Sequence, residues 1–108
     1  MILVNTENIA HKKIVKSLGL VKGNTIRARD LGRDIVAAFK NMVGGEIEEY
    51  TKLLGESREQ ALDRMAAEAE ALGANAVVNI RFSTSEIMNG AAEIMAYGTA
   101  VVVEDGDE

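Results

Sequence analysis

Apolar residues open the chain at positions 1–4 and give way to Asn5-Thr6-Glu7-Asn8, a turn-like run, so a short strand is expected at the start. Over residues 14–27 the side chains Ile14, Val15, Leu18, Leu20, Val21, Thr25 and Ile26 favour a second strand. Gly19 and Gly23 suggest that it bends or bulges. Asp30 then occupies a helix N-cap position, and Leu31, Ile35, Ala38, Phe39 and Met42 follow at spacings of three and four that gather on one helical face. The pair Gly44-Gly45 ends that helix, because glycine adopts the left-handed backbone of a C-cap without a Cβ penalty.

Residues 46–72 read as a second, longer helix with Ile47, Tyr50, Leu54, Ala61, Met65, Ala69 and Leu72 on one face. Glu46, Glu48 and Glu49 fall in its first turn, where the helix dipole favours negative charge. Gly55, with Ser57 and Gln60 at capping-box spacing, predicts a kink in a continuous helix. Gly73 closes it, and Asn75 turns the chain into a strand over residues 76–82. Residues 83–90 are expected to form a polar connection containing Asn89-Gly90. Residues 93–103 form the most apolar strand, and the acidic end, residues 105–108, is expected to be a disordered tail behind a single domain spanning 1–104.

The predicted order is β-α-α-β-β, an α+β chain. If the helices cross between parallel strands, the last strand inserts antiparallel between them and builds a three-stranded sheet with its most apolar member central. A sheet covered by helix on one side should alternate apolar and polar residues, and the last strand does not. Ile94, Ala96, Ala100 and Val102 lie on one face; Met95, Tyr97, Val101 and Val103 lie on the other. At about 25 cal/mol per Å² of apolar surface, covering that second face is worth several kcal/mol. A neighbouring copy is the expected cover, in a closed ring of identical subunits; the alternative is that the first four residues and the helix ends wrap over it within one chain.

Composition narrows the chemistry. The 108 residues include no cysteine, which excludes disulfides, thiolate metal sites and iron–sulfur clusters. A net charge of −5 opposes the electrostatic term that drives nucleic-acid binding, so no nucleic acid is expected as partner. No apolar run approaches the length that spans a bilayer, and the start does not read as a secretory signal; no membrane association and a cytoplasmic address are expected. The charge is divided: residues 1–45 carry eight Lys/Arg against three Asp/Glu, and residues 46–108 carry four against fourteen. Opposite halves can therefore complement one another between neighbouring subunits, or the basic half can attract an anion; solvated faces are the simpler reading.

Recognised catalytic patterns are missing. The one histidine, His11, has no neighbouring ligand or nucleophile elbow. Gly19, Gly23 and Gly32 match neither phosphate-loop pattern. Glu46, Glu49 and Glu56 offer hard oxygen ligands for calcium or magnesium, although a solvated helix face accounts for them as well. Arg27, Arg29 and Arg33 together offer an anion site. The four aromatics, Phe39, Tyr50, Phe82 and Tyr97, lie on apolar faces and are expected in core packing.

Residues 43–47 (Val-Gly-Gly-Glu-Ile) followed by Tyr50, the run Ala-Leu-Gly-Ala-Asn-Ala-Val-Val-Asn-Ile-Arg-Phe over 71–82, and Tyr97-Gly98-Thr99-Ala100-Val101 together resemble the YbjQ-like family over about residues 3–104. That family has no established role and carries the label putative heavy-metal-binding. The resemblance implies a dodecin-like subunit, a curved three-stranded antiparallel sheet against helix, assembled into pentamers or larger rings. Zero cysteines and one histidine do not make an ordinary soft-metal site within one chain, so any such site needs ligands shared around the ring.

The resulting expectation is a non-enzymatic, ring-forming homo-oligomer that binds a small ligand or ion at subunit interfaces, with no cofactor called for. Arg33, Gly44, Gly45, Glu46 and Tyr50 are the candidate ligand-binding residues, because a paired-glycine junction exposes backbone N–H groups beside charged side chains. Two other readings stay open: a carboxylate-based metal-binding or metal-sensing protein, and an enzyme with an inter-subunit site.

Overall fold

The computed structural model describes residues 1–28, 45–88 and 91–106. Its elements are β1 (Ile2–Leu3), β2 (Lys12–Ala28), α1 (Gly45–Ala71), β3 (Ala76–Met88) and β4 (Ala91–Asp105). The sheet order is β1-β3-β4-β2. The most apolar strand, β4, lies antiparallel between β2 and β3, as its pattern predicts, while β1 adds in parallel to the far edge of β3. The fold is therefore α+β with one helix on a four-stranded mixed sheet. The expected three-stranded antiparallel sheet is its β2-β4-β3 part. The helix predicted from Asp30 to Met42 lies outside the described residues.

Helix α1 seats on the sheet through a narrow seam. Ser57, Ala61, Met65 and Ala69, four residues apart, are fully buried, with Leu54 and Leu62 packed beside them. Three of the four are small, so the helix backbone comes very close to β2. A Cβ at Gly23 would collide with the Ala61 carbonyl oxygen and the Met65 nitrogen. Thr25, also buried, donates from Oγ1 to the Ser57 carbonyl at 3.2 Å. Ser57 does not cap a new helix: its hydroxyl donates back to the Leu53 carbonyl at 2.8 Å, and α1 runs unbroken through Gly55.

The helix ends as predicted at Gly73, with φ +91°. Its N–H donates to Glu70 O at 2.9 Å and Ala74 N–H to Ala69 O at 3.1 Å, the paired bonds that satisfy the last carbonyls of a helix. Leu72, expected on the buried face, points outward and is 49% exposed. Asn75 then ties the turn to β4, its side-chain amide accepting from Val103 N–H at 2.8 Å and donating to Val103 O at 3.0 Å.

Two expectations about the strands change. Residues 83–88, read as a polar connection, continue β3 along β4 from Ser83↔Met95 to Met88↔Ala91. Residues 83–86 are polar because this end of β3 receives little cover from the helix; Arg81 to Glu86 are all exposed. Strand β4 also runs on through Glu104 to Asp105, so the acidic end stays paired at residue 105. Asp105 meets Lys12 at 2.7 Å, and Gly106 N–H donates to His11 O at 2.9 Å. Residues 107–108 lie outside the described residues. Of the two irregularities expected in β2, the one at Gly19 is present, between Ser17 and Gly19 with φ +100°, whereas the register runs unbroken through Gly23; a further shift lies between Ile14 and Lys16.

The face of the sheet away from α1 is divided. Around Ala76, Val78, Val101 and Val103, all buried, the cover is the chain's own start: Ile2, Val4 and Ile9 pack there. Hydrogen bonds from Ile2 N–H to Asn75 O, Val4 N–H to Val77 O and Ile80 N–H to Val4 O sew that segment to β3. The intrachain wrap thus shelters this half, where the sequence pattern favoured a neighbouring copy. The other half stays open, with Leu20 67% and Ile26 58% exposed beside half-buried Met95 and Tyr97. The body is long, 54 × 23 × 16 Å, with a radius of gyration of 17.0 Å against about 13 Å for a compact chain of this length.

Candidate functional site

The open half of the outer face is built by strand register. In β2, Val21, Gly23 and Thr25 are buried toward α1, so Leu20, Lys22, Asn24 and Ile26 alternate outward. Their partners on β4 are Thr99, Tyr97, Met95 and Glu93 in turn. On β3 the partners of Tyr97, Met95 and Glu93 are Arg81, Ser83 and Ser85. Asn79, with φ +56°, sits at the irregularity between Val78 and Arg81 and restores Arg81 to the outer face after Ile80 turns inward to the core.

The resulting rows mix chemistry. One row is Lys22–Tyr97–Arg81, the next Asn24–Met95–Ser83, the next Ile26–Glu93–Ser85. Arg81 is held in place: its Nη1 donates to Asn5 O at 2.8 Å and to its neighbour Ile80 O at 3.0 Å. Asn24 Nδ2 donates to Glu93 Oε2 at 3.2 Å, which engages the carboxylate on this face. Among the described residues, Lys22 Nζ and Tyr97 Oη make no hydrogen bond or ion pair.

The residues singled out from sequence fall elsewhere. Arg29, Arg33 and Gly44 lie outside the described residues. Gly45 begins α1, and Glu46, Glu49 and Tyr50 belong to its first turns, their side chains also outside what is described, as is that of Arg27 in β2. Glu56 is exposed on α1 in a shallow depression with Lys52, Gly55, Glu59 and Gln60. His11 turns the chain into β2 with φ +62°, and its carbonyl accepts from Gly106. No group of three or more His, Cys, Asp and Glu side chains is placed to hold a metal ion among the described residues.

Two aromatics differ from the expected core role. Tyr97 stands half-exposed on the outer face. Phe82 is 45% exposed, on the helix side of β3 beyond the seam, where it lines a groove of about 490 Å³ with Leu3, Leu62 and Ile80. Composition alone does not reveal either position; the extra residue at Asn79 sets the facing of both Arg81 and Phe82.

Electrostatic perturbation is slight. The hydrogen bond from Lys12, and then the charge of its ammonium, hold the Asp105 carboxyl below its ordinary value of 3.8. No helix among the described residues is long and apolar enough to cross a membrane.

Comparison with known proteins places this arrangement. The chain is 62% identical over 104 residues to a UPF0145 protein of Dehalococcoides mccartyi, covering 96% of this chain and 100% of that one. It is 58% identical over 101 residues to a UPF0145 protein of the archaeon Halorubrum lacusprofundi, covering 94% and 97%. With a UPF0145 protein of Thermosipho africanus it shares 53% identity over the full length of both. A crystal structure of a protein of unknown function from Pediococcus pentosaceus, belonging to the DUF74 family, has a similar fold, with TM-score 0.64 at 11% identity over 96% of this chain and 98% of that one. The family model described as "Putative heavy-metal-binding" matches residues 1–104, and the chain belongs to that YbjQ-like family.

Proposed function

We propose that this protein acts as a non-enzymatic, cytoplasmic homo-oligomer, a pentamer or a multiple of one, that closes into a ring and holds a small ligand or ion where subunits meet. The observation that carries the reading is the open half of the outer sheet face. Leu20 and Ile26 project from an edge strand at 67% and 58% exposure beside Met95 and Tyr97, while Ala92, Ile94, Ala96, Ala100, Val101 and Val103 of β4 are buried within the chain. Edge strands with exposed aliphatic residues invite pairing or covering by another chain. The divided charge supports a head-to-tail contact: β2 carries Lys12, Lys13, Lys16, Lys22 and Arg27 and no acidic residue, whereas α1 carries eight Asp/Glu against three Lys/Arg. The paired glycines Gly44 and Gly45, with Arg33, Glu46 and Tyr50, remain the proposed ligand contacts.

Light scattering and native mass spectrometry at micromolar concentration test the reading. A particle of five or more 11.6 kDa chains is expected; a stable single chain would end the ring proposal.

The family description favours a second reading, metal binding. With no cysteine in the chain, its ligands would be carboxylates and His11 contributed by several subunits. Calorimetric titration with zinc, copper and calcium separates the two, since heat together with a raised melting temperature supports metal and neither dismisses it.

A further inference from the structure

We propose that the row Lys22–Tyr97–Arg81 on the outer face binds a small phosphate-type oxyanion. The three residues come from three strands, and the register alone brings them together. Neighbouring strands lie about 4.8 Å apart, so the α-carbons of Lys22 and Arg81 flank Tyr97 at a mutual distance of about 10 Å. The Lys22 side chain is long enough to reach over the phenol, while Arg81, anchored through Nη1 on Asn5 O and Ile80 O, has Nε and Nη2 left to offer an anion. An ammonium and a guanidinium offer only donors, and the phenol adds an O–H. A dianion with three or more acceptor oxygens matches two positive charges and a third donor better than a single carboxylate does.

The surroundings favour a free ligand over an internal counter-charge. Lys22 Nζ makes no ion pair among the described residues, and Arg81 uses Nη1 on two backbone carbonyls, which fixes the guanidinium without neutralising it. The carboxylate that shares this face, Glu93, stands four residues from Tyr97 along β4, about 13 Å away, and accepts from Asn24.

The inference deepens the ring reading and rests on it in one respect. A neighbour that covers Leu20 and Ile26 also covers Lys22, which lies between them. Two cations closed off from water need a counter-charge, so the anion would cement the contact.

The test is calorimetry with inorganic phosphate and, separately, glycerol 3-phosphate, at constant ionic strength set with sodium chloride, alongside native mass spectrometry. Binding by the full chain is expected, weakened about tenfold in Lys22→Gln and measurably in Tyr97→Phe, with the far-ultraviolet spectrum unchanged. Tighter binding of the ester than of phosphate would identify an esterified ligand. A ring that forms with no phosphate heat overturns the anion site and leaves the ring intact. A single chain that binds phosphate through Lys22 upholds the site and ends the ring. Binding that survives Lys22→Gln undiminished, or that chloride alone reproduces, overturns the site.

Discussion

The two faces of the sheet are closed by different means. Toward α1 the seal is backbone against backbone: Gly23 admits the helix, and Ala61, Met65 and Ala69 fill what remains. On the other face a thin strip, residues 1–9, covers Val101 and Val103 with a few aliphatic side chains and stops short of Tyr97. A seam that tight has no tolerance for added atoms, whereas a strip can be trimmed with a graded loss. An open strand surface tolerates substitution until a partner sits on it.

The largest effect is expected at the seam. Gly23→Val forces a branched side chain into the helix backbone and should cost about 3 kcal/mol or more, read as a collapse of the urea midpoint. An unchanged midpoint would mean that the helix does not sit there. Removing residues 1–4 strips Ile2 and Val4 from the outer core and should cost about 2 kcal/mol while leaving the helix content intact. A loss as large as that of the Gly23 variant would erase the distinction between the two seals.

On the open half, Leu20→Glu with Ile26→Glu should change the stability of a single chain by about 0.5 kcal/mol or less. For the proposed ring, the same pair should reduce the particle mass to that of one chain. Unaltered mass would move the contact surface elsewhere. The smallest effect belongs to Asp105. Its folded pKa is depressed, so the unfolded chain binds more protons in that window. The ion pair's contribution is therefore complete above the ordinary value of 3.8 and is lost as pH falls through the lower folded value. Asp105→Asn should match the parent at about pH 2 and fall slightly below it at about pH 6, and about 1 M salt should remove the difference.

Much of this architecture is legible in the residues, for physical reasons that also mark where legibility stops. The near-continuous apolar run of β4 announces a central strand, and Gly73 followed by Asn75 announces a helix end and a new strand. Residues 83–86, Ser-Thr-Ser-Glu, look like a loop because neither side of that strand is buried; only pairing with β4 keeps them extended. The self-cover by the chain's start was legible only as the less favoured of two covers, since an apolar tetrapeptide reads as a strand without saying which surface it seals. The row Lys22–Tyr97–Arg81 was beyond reach for a related reason. Its members are 59 and 75 residues from Lys22, and one extra residue at Asn79 decides whether Arg81 faces outward. Of the sites the sequence did suggest, Arg33 and Gly44 lie outside the described residues, and His11 and Glu56 stand apart from any cluster.

Strand β1 has one more implication, for synthesis. Ile2 and Leu3 join residues 76 and 77, and Lys12 opens a strand that must find Asp105. Neither pairing can form until the chain in between, more than 70 residues in the first case and more than 90 in the second, has been made and brought back on itself. Such distant pairings place folding among the slower, sheet-dominated cases.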